Sequence, residues 1–209
     1  MVATYAVSIR KRTRGTVRRL VLWYSVRNRR KKAAAISAWM HEQRCETVLF
    51  VGDTGRPSAD ANMVNTGIVE RALEEEFTVV MGINLYPVEA DHPTRIADAL
   101  DLPFEDDYVD CALANAIIEH VGGEGEQRRM VDEMSRVARC WVITTPNRWY
   151  PVESHTSAVF AHWLPSWRGR QSKFTRLLSR REFRELLPAG AEVHGRPWSP
   201  TFSAYYHRR

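Results

Sequence analysis

Residues 98 to 121 read Asp98-Ala-Leu-Asp-Leu-Pro-Phe-Glu-Asp-Asp-Tyr-Val-Asp-Cys-Ala-Leu-Ala-Asn-Ala-Ile-Ile-Glu-His-Val121. An acidic residue opens onto Leu100 and then onto Leu102-Pro103-Phe104. Glu105, Asp106 and Asp107 make an acidic turn. Val109 to Ala114 follows as a short apolar run, of the length of a buried strand. Asn115 ends the run, and Glu119-His120-Val121 closes the stretch.

Outward from this stretch, strand and helix signals alternate. Thr47 to Val51 is a brief apolar run stopped by Gly52, and Thr78 to Ile83 is another. Residues 94 to 97 are a short third candidate, and Cys140 to Thr144 is a further strand, ended by Pro146. Between them, Met63 to Leu73 and Glu126 to Ala138 carry apolar residues at helical spacing: Val64, Ile68, Val69 and Ala72 in the first, Met130, Val131, Met134 and Val137 in the second. Such a rhythm predicts an α/β fold with a mainly parallel sheet and helices on both faces. Farther along, Ser179-Arg-Arg-Glu182 has the form of a capping box and opens a short helix with Phe183, Leu186 and Leu187. Two late strands, near 191–196 and 201–206, are expected as a hairpin on one sheet edge, which makes the C-terminal edge antiparallel.

The 98–121 stretch resembles a signature of small class I methyltransferases that depend on S-adenosylmethionine (SAM), those of the type 11 kind. In that family an acidic residue precedes Leu-Pro-Phe, an acidic turn and a strand follow, and Glu-His-Val comes next. Thr144-Thr-Pro-Asn147, with Arg148, Glu153 and His155, is similar to the segment that follows the next strand in such enzymes. The resemblance covers roughly residues 45 to 165. It implies a Rossmann-like class I methyltransferase fold, SAM as cofactor and methyl transfer as the activity.

Carried onto this chain, the resemblance puts Gly52, Asn84, Asp98, Ala99 and Asn115 around the cofactor, with Asp98 accepting from the adenine amino group. Leu85 and Leu100 supply apolar walls for the adenine, and the loop Gly52-Asp53-Thr54-Gly55 faces the amino-acid end. Ligands in open α/β sheets sit beyond the carboxyl ends of the strands, where these residues fall. Two departures stand out. The family's acid-x-Gly-x-Gly-x-Gly motif reads Phe50-Val-Gly52-Asp53-Thr54-Gly55-Arg56, so only the first glycine matches. Asn84 stands where an acid normally holds the ribose hydroxyls, and an amide gives up the charge-assisted bond.

Methyl transfer needs a base only when the nucleophile must lose a proton. His120 and His155 are the candidates for that role. The aromatic-rich segment 145–175, with Trp149, Tyr150, Trp163 and Trp167, is expected to cap the acceptor side of a domain spanning 41–209.

Composition bounds the rest. The chain has 209 residues, 44% hydrophobic and 26% charged, an ordinary globular composition. No apolar run approaches the ~18 residues needed to cross a bilayer. Three cysteines without paired spacing and seven scattered histidines suggest neither a disulfide framework nor a zinc site, and point to a cytoplasmic chain. The net charge of +5 is uneven. Residues 1 to 32 hold 11 Lys+Arg and no acid, so the remainder has 30 − 11 = 19 basic against 25 acidic residues. Residues 1–40 thus form a basic arm, helical from about Thr16 to Met40. Its basic face either simply meets water or rests, through residues 10–32, on an anionic membrane surface. Nucleic acid is the lesser alternative. The acceptor expected is a small molecule or a lipid-linked group. The rival reading, raised by Phe50, Thr54, Arg56 and Asn84, is a non-catalytic methyltransferase-fold protein that serves as a binding partner or scaffold.

Overall fold

The computed structural model describes residues 15–56, 67–151 and 175–208, with side chains from Trp23 onward. The helix α1 (Gly15–Glu42) leads into β1 (Thr47–Val51). There follow α2 (Ile68–Glu74), β2 (Thr78–Asn84), β3 (Thr94–Ile96) and β4 (Val109–Asn115). A single 3-10 turn, Ile118–His120, precedes α3 (Glu124–Val137) and β5 (Ala138–Pro146). The short helix α4 (Arg180–Glu185) and the strands β6 (Glu192–His194) and β7 (Thr201–His207) complete the series.

The seven strands lie in the order β3-β2-β1-β4-β5-β7-β6. The first five are mutually parallel, and β7 runs antiparallel both to β5 and to β6. The antiparallel C-terminal edge expected from the sequence is therefore present, with the later strand inserted between β5 and β6. The capping box at Ser179 also forms: its hydroxyl accepts from Glu182 N–H, and the Glu182 side chain accepts from Ser179 N–H. The start of the helix expected at Met63 lies outside the described residues.

The central strands are buried on both faces, so they read as nearly unbroken apolar runs. Alternate residues then serve two cores. Leu49, Val51, Ala112, Ala114, Trp141 and Ile143 face α3 and α4, against Met130, Met134, Val137 and Phe183. Val48, Phe50, Cys111, Leu113, Cys140 and Val142 face α1 and α2, against Ala33, Ile36, Met40, Val69 and Leu73. Each large side chain so buried contributes roughly 1.5–3 kcal/mol. The second half of α1 packs on the sheet through Ala33, Ile36 and Met40.

Two polar clasps fix the connections. Asp110 accepts from Glu46 N–H, Thr47 N–H and the Thr47 hydroxyl at 2.9–3.0 Å, tying the entry of β1 to β4. Arg136 of α3 donates to the carbonyls of Leu102 and Phe104 at 2.9 and 2.8 Å and pairs with Glu133 and Asp106. Glu133 in turn accepts Leu102 N–H at 2.8 Å. The Leu-Pro-Phe turn is thereby pinned to α3.

Candidate functional site

The parallel strands end together, and the loops that follow β1, β2, β3 and β4 form the site. After β1 the chain turns at Gly52, φ 77°, directly under Ile117. A Cβ at residue 52 would sit 2.3 Å from the Ile117 side chain, so only glycine fits this crossing. Gly52 N–H and Asp53 N–H both donate to the Ile83 carbonyl, at 2.9 and 2.8 Å.

Asp53 then turns inward and is buried. Its Oδ1 accepts Gly55 N–H at 2.9 Å, and its Oδ2 lies 2.8 Å from His92 Nε2. The other ring nitrogen of His92 stands 2.5 Å from Glu74 Oε1, an ion contact rather than a directed hydrogen bond. Phe50 presents its ring to His92 edge-on, with centroids 5.5 Å apart. The aromatic ring in the family's acidic position is thus core, and it packs on a histidine held between two carboxylates. Arg56 N–H donates to the Glu89 carbonyl at 2.7 Å, while its exposed guanidinium pairs with Asp91. Arg56 does not plug the site. A shallow depression of about 310 Å³ beside Glu74, Phe77 and His92 includes none of the residues expected to hold the cofactor.

At the end of β2, Asn84 donates through Nδ2 to the Asp53 carbonyl at 2.6 Å and accepts Tyr86 N–H at 3.3 Å. It bridges the ends of β1 and β2. Next to it Leu85 and Tyr86 are 59% and 71% exposed, and Ile96 at the end of β3 is 60% exposed. Asp98 is exposed beside them, with one oxygen accepting Leu100 N–H at 2.9 Å. Leu100 is half-buried and Ala99 buried.

At the end of β4, Asn115 is the centre of a polar cluster. Its Oδ1 accepts from Lys32 Nζ at 2.9 Å and from the Thr144 hydroxyl at 2.7 Å, and its Nδ2 donates to Glu70 at 2.9 Å. Lys32 Nζ also reaches Thr144 Oγ1 at 3.4 Å. Lys32 is only partly exposed, and burial pulls its pKa down to about 8, against the opposing pull of Glu70. Ala116, just beyond, has φ 60°, a conformation that costs a non-glycine residue about 1–2 kcal/mol. His120 is exposed on the 3-10 turn, its Nδ1 3.4 Å from the Thr175 hydroxyl. His155 and most of the expected aromatic cap lie outside the described residues.

The residues named from the sequence at 52–55, 84–85, 98–100 and 115 are thus gathered at one end of the sheet. Lys32 was missed, because it sits in a run of basic residues that reads as a solvated face. Its only sequence signal is that Lys32 precedes Ala33 and Ile36 on a helix whose other side is core.

Leu85, Ile96 and Leu100 offer apolar side chains and Asp98 a carboxylate at and just after the ends of β2 and β3. At the amino-acid end, backbone donors of the first loop and the Asn84 amide are already engaged by the chain itself.

Residues 64–140 match the family model described as "Methyltransferase domain". A tRNA (carboxymethyluridine(34)-5-O)-methyltransferase of Arabidopsis thaliana is 26% identical over 70 residues, 34% of this chain and only 17% of that protein. The chain therefore spans about a sixth of the length of this curated relative. Among solved structures, a SAM dependent methyltransferase from Archaeoglobus fulgidus matches with a TM-score of 0.55 at 11% identity, over 84% of this chain and 94% of that one. A magnesium protoporphyrin IX methyltransferase from Synechocystis, solved with SAH, gives 0.54 at 11%, over 90% and 87%. A Haloferax volcanii chain from a complex with the Trm112 methyltransferase activator gives 0.52 at 16%, over 85% and 96%. The sheet order and the grouping of loops at the carboxyl ends of β1 to β4 are those of the class I methyltransferase fold, and residues 64–140 carry the match to the methyltransferase domain model.

Proposed function

We propose that the chain binds SAM across the ends of β1 to β4 and transfers its methyl group to a small-molecule or lipid-linked acceptor. The observation that carries this reading is that exposed Leu85, Ile96 and Asp98 and half-buried Leu100 lie at and just after the ends of β2 and β3, where the adenine is proposed to sit. When bound, the cofactor supplies an electrophilic methyl on a sulfonium. The chain's own part is to hold the acceptor in line with it and to keep water out. Asp98 accepts from the adenine amino group. Gly52 lets the first loop pass under Ile117. Asn115 and Thr144 position Lys32, whose amine has a pKa of about 8 and takes a proton from the acceptor once it is the free base, above that pH. His120 lies farther out, at the exposed rim.

The polar contacts within the 52–56 loop mean that the cofactor's amino-acid end meets a pre-satisfied backbone, so binding in the micromolar to submillimolar range is expected. Calorimetry on the full chain with SAM, and with its demethylated product, tests the reading. Absence of both heat and thermal shift at millimolar ligand overturns it in favour of a non-catalytic partner or scaffold.

A second reading, an RNA acceptor, is favoured by the Arabidopsis relative, a tRNA methyltransferase, and by the 11 basic residues among the first 32. Labelled methyl transfer offered in parallel to a tRNA pool and to a lipid extract separates the two. Label in tRNA alone selects the second.

A further inference from the structure

We propose that Cys45, Cys111 and Cys140 form a three-sulfur site for a soft cation, copper(I) or zinc(II), at the amino-terminal end of the sheet. The three sulfur atoms come from separate segments and lie within 4.8 Å of one another, with Cys45 and Cys140 only 3.3 Å apart. All three side chains are buried, at 5%, 0% and 0% exposure. Sulfurs bound at ~2.3 Å to one ion stand about 4 Å from each other, so sub-ångström shifts suffice to take one up.

Each cysteine is placed by its own backbone. Cys111 and Cys140 are register partners on the neighbouring strands β4 and β5. Cys45 is delivered by the end of α1, where Arg44 adopts φ 57° and Cys45 N–H returns to the Met40 carbonyl at 2.9 Å. A buried cysteine is ordinarily just a small apolar side chain. Packing alone does not require three of them to turn their sulfurs together. The Arg139 guanidinium, paired with Asp110 at 3.3 Å, stands next to the cluster and offsets the negative charge of metal-bound thiolates. No fourth side-chain ligand joins them among the described residues, a set that suits three-coordinate copper(I). For zinc(II), the Asp110 carbonyl, 3.1 Å from Cys140 Sγ, is the nearest further oxygen.

Uptake exchanges the thiol protons for the ion and releases them to water, with no change of oxidation state. The site lies at the opposite end of the strands from Asn84, Asp98 and Asn115. It joins the end of α1 to β4 and β5 and takes no part in methyl transfer. The spacing of the cysteines in the sequence gives no sign of it, because 66 and 29 positions separate them along the chain.

The test uses the full chain, stripped with chelator and reductant under nitrogen. It is titrated with copper(I), and separately with zinc(II), each against a chromophoric chelator. One equivalent of either ion per chain is expected, with a higher unfolding temperature and protection of the three thiols from alkylation. C45S, at the rim of the cluster, is expected to remain folded by circular dichroism and to lose stoichiometric binding; C140A is the second variant. The proposal fails if neither ion is held at one equivalent, if folded C45S binds as the parent does, or if Cys45 and Cys140 are found joined by a disulfide in the reduced, stripped preparation.

Discussion

Lys32 brings a charge to a place where charge is costly. Burial holds its pKa near 8, against 10.5 for a free lysine. Between these values the unfolded chain binds more proton than the folded one, so this residue makes stability rise with pH across that window and leaves the folded state penalised below it. The full difference amounts to about 3 kcal/mol. K32M removes the titration. Urea unfolding from pH 7.5 to 10.5 is therefore expected to show the parent gaining on K32M by up to that amount; parallel curves would show that the ammonium is solvated. Asp98 is the opposite case, an exposed carboxylate with little structural duty. D98A is expected to leave thermal unfolding unchanged and to weaken SAM binding by ~1 kcal/mol, roughly fivefold, in calorimetry. Asp98 could be read from the sequence because its neighbours are distinctive. Lys32 could not, since what makes it special is a contact 112 positions away at Thr144. The fate of Asp53 was equally hidden: its partner His92 is 39 residues on, and the pair exists only once β1 and β2 lie side by side.

Elements were more legible than residues. The buried strands β1, β2, β4 and β5 announce themselves as apolar runs with sharp ends, and α3 shows its inward stripe at Met130, Val131, Met134 and Val137. The same physics explains what was less sharp. β3 is three exposed residues on the sheet edge, so its sequence Thr-Arg-Ile carries no burial signal. Arg136 shows how an element can hold a loop that has no structure of its own. Its guanidinium gathers Leu102, Phe104, Glu133 and Asp106, and the turn between β3 and β4 hangs from it. R136M keeps the aliphatic stem and loses every one of these bonds. It is expected to cost about 2 kcal/mol. For a chain of this size that is a fall of roughly 5 °C in Tm by calorimetry. Because the same turn leads from Asp98, weaker SAM binding is expected to accompany the loss.

At the scale of the whole molecule the division of charge matters most. The first 32 residues carry +11 and the rest −6, and α1 runs from one region into the other. Its end packs on the amino-terminal half of the sheet while Lys32 reaches the carboxyl end of β4 and β5. On the proposed lipid-linked reading, this basic segment is the part of the chain that would meet an anionic surface. Vesicles containing anionic lipid are expected to bind the full chain. A chain lacking residues 1–14, and so Arg10, Lys11, Arg12 and Arg14, is expected to bind them at least about tenfold more weakly, at ~1 kcal/mol per basic residue. Equal binding by both in a sedimentation assay would remove the membrane from the account. The sheet order carries a different consequence, for the chain as it is being made. β5 lies in the middle of the sheet, yet its neighbour β7 begins 55 residues after β5 ends. While the ribosome is still producing that interval, β5 stands as an open edge bearing Trp141, Val142 and Ile143, side chains that are fully covered once folding is complete. Such an edge is a template for pairing with another chain. The nascent protein thus has a window of several seconds, at ~5–20 residues per second, in which solubility depends on whatever shields that edge.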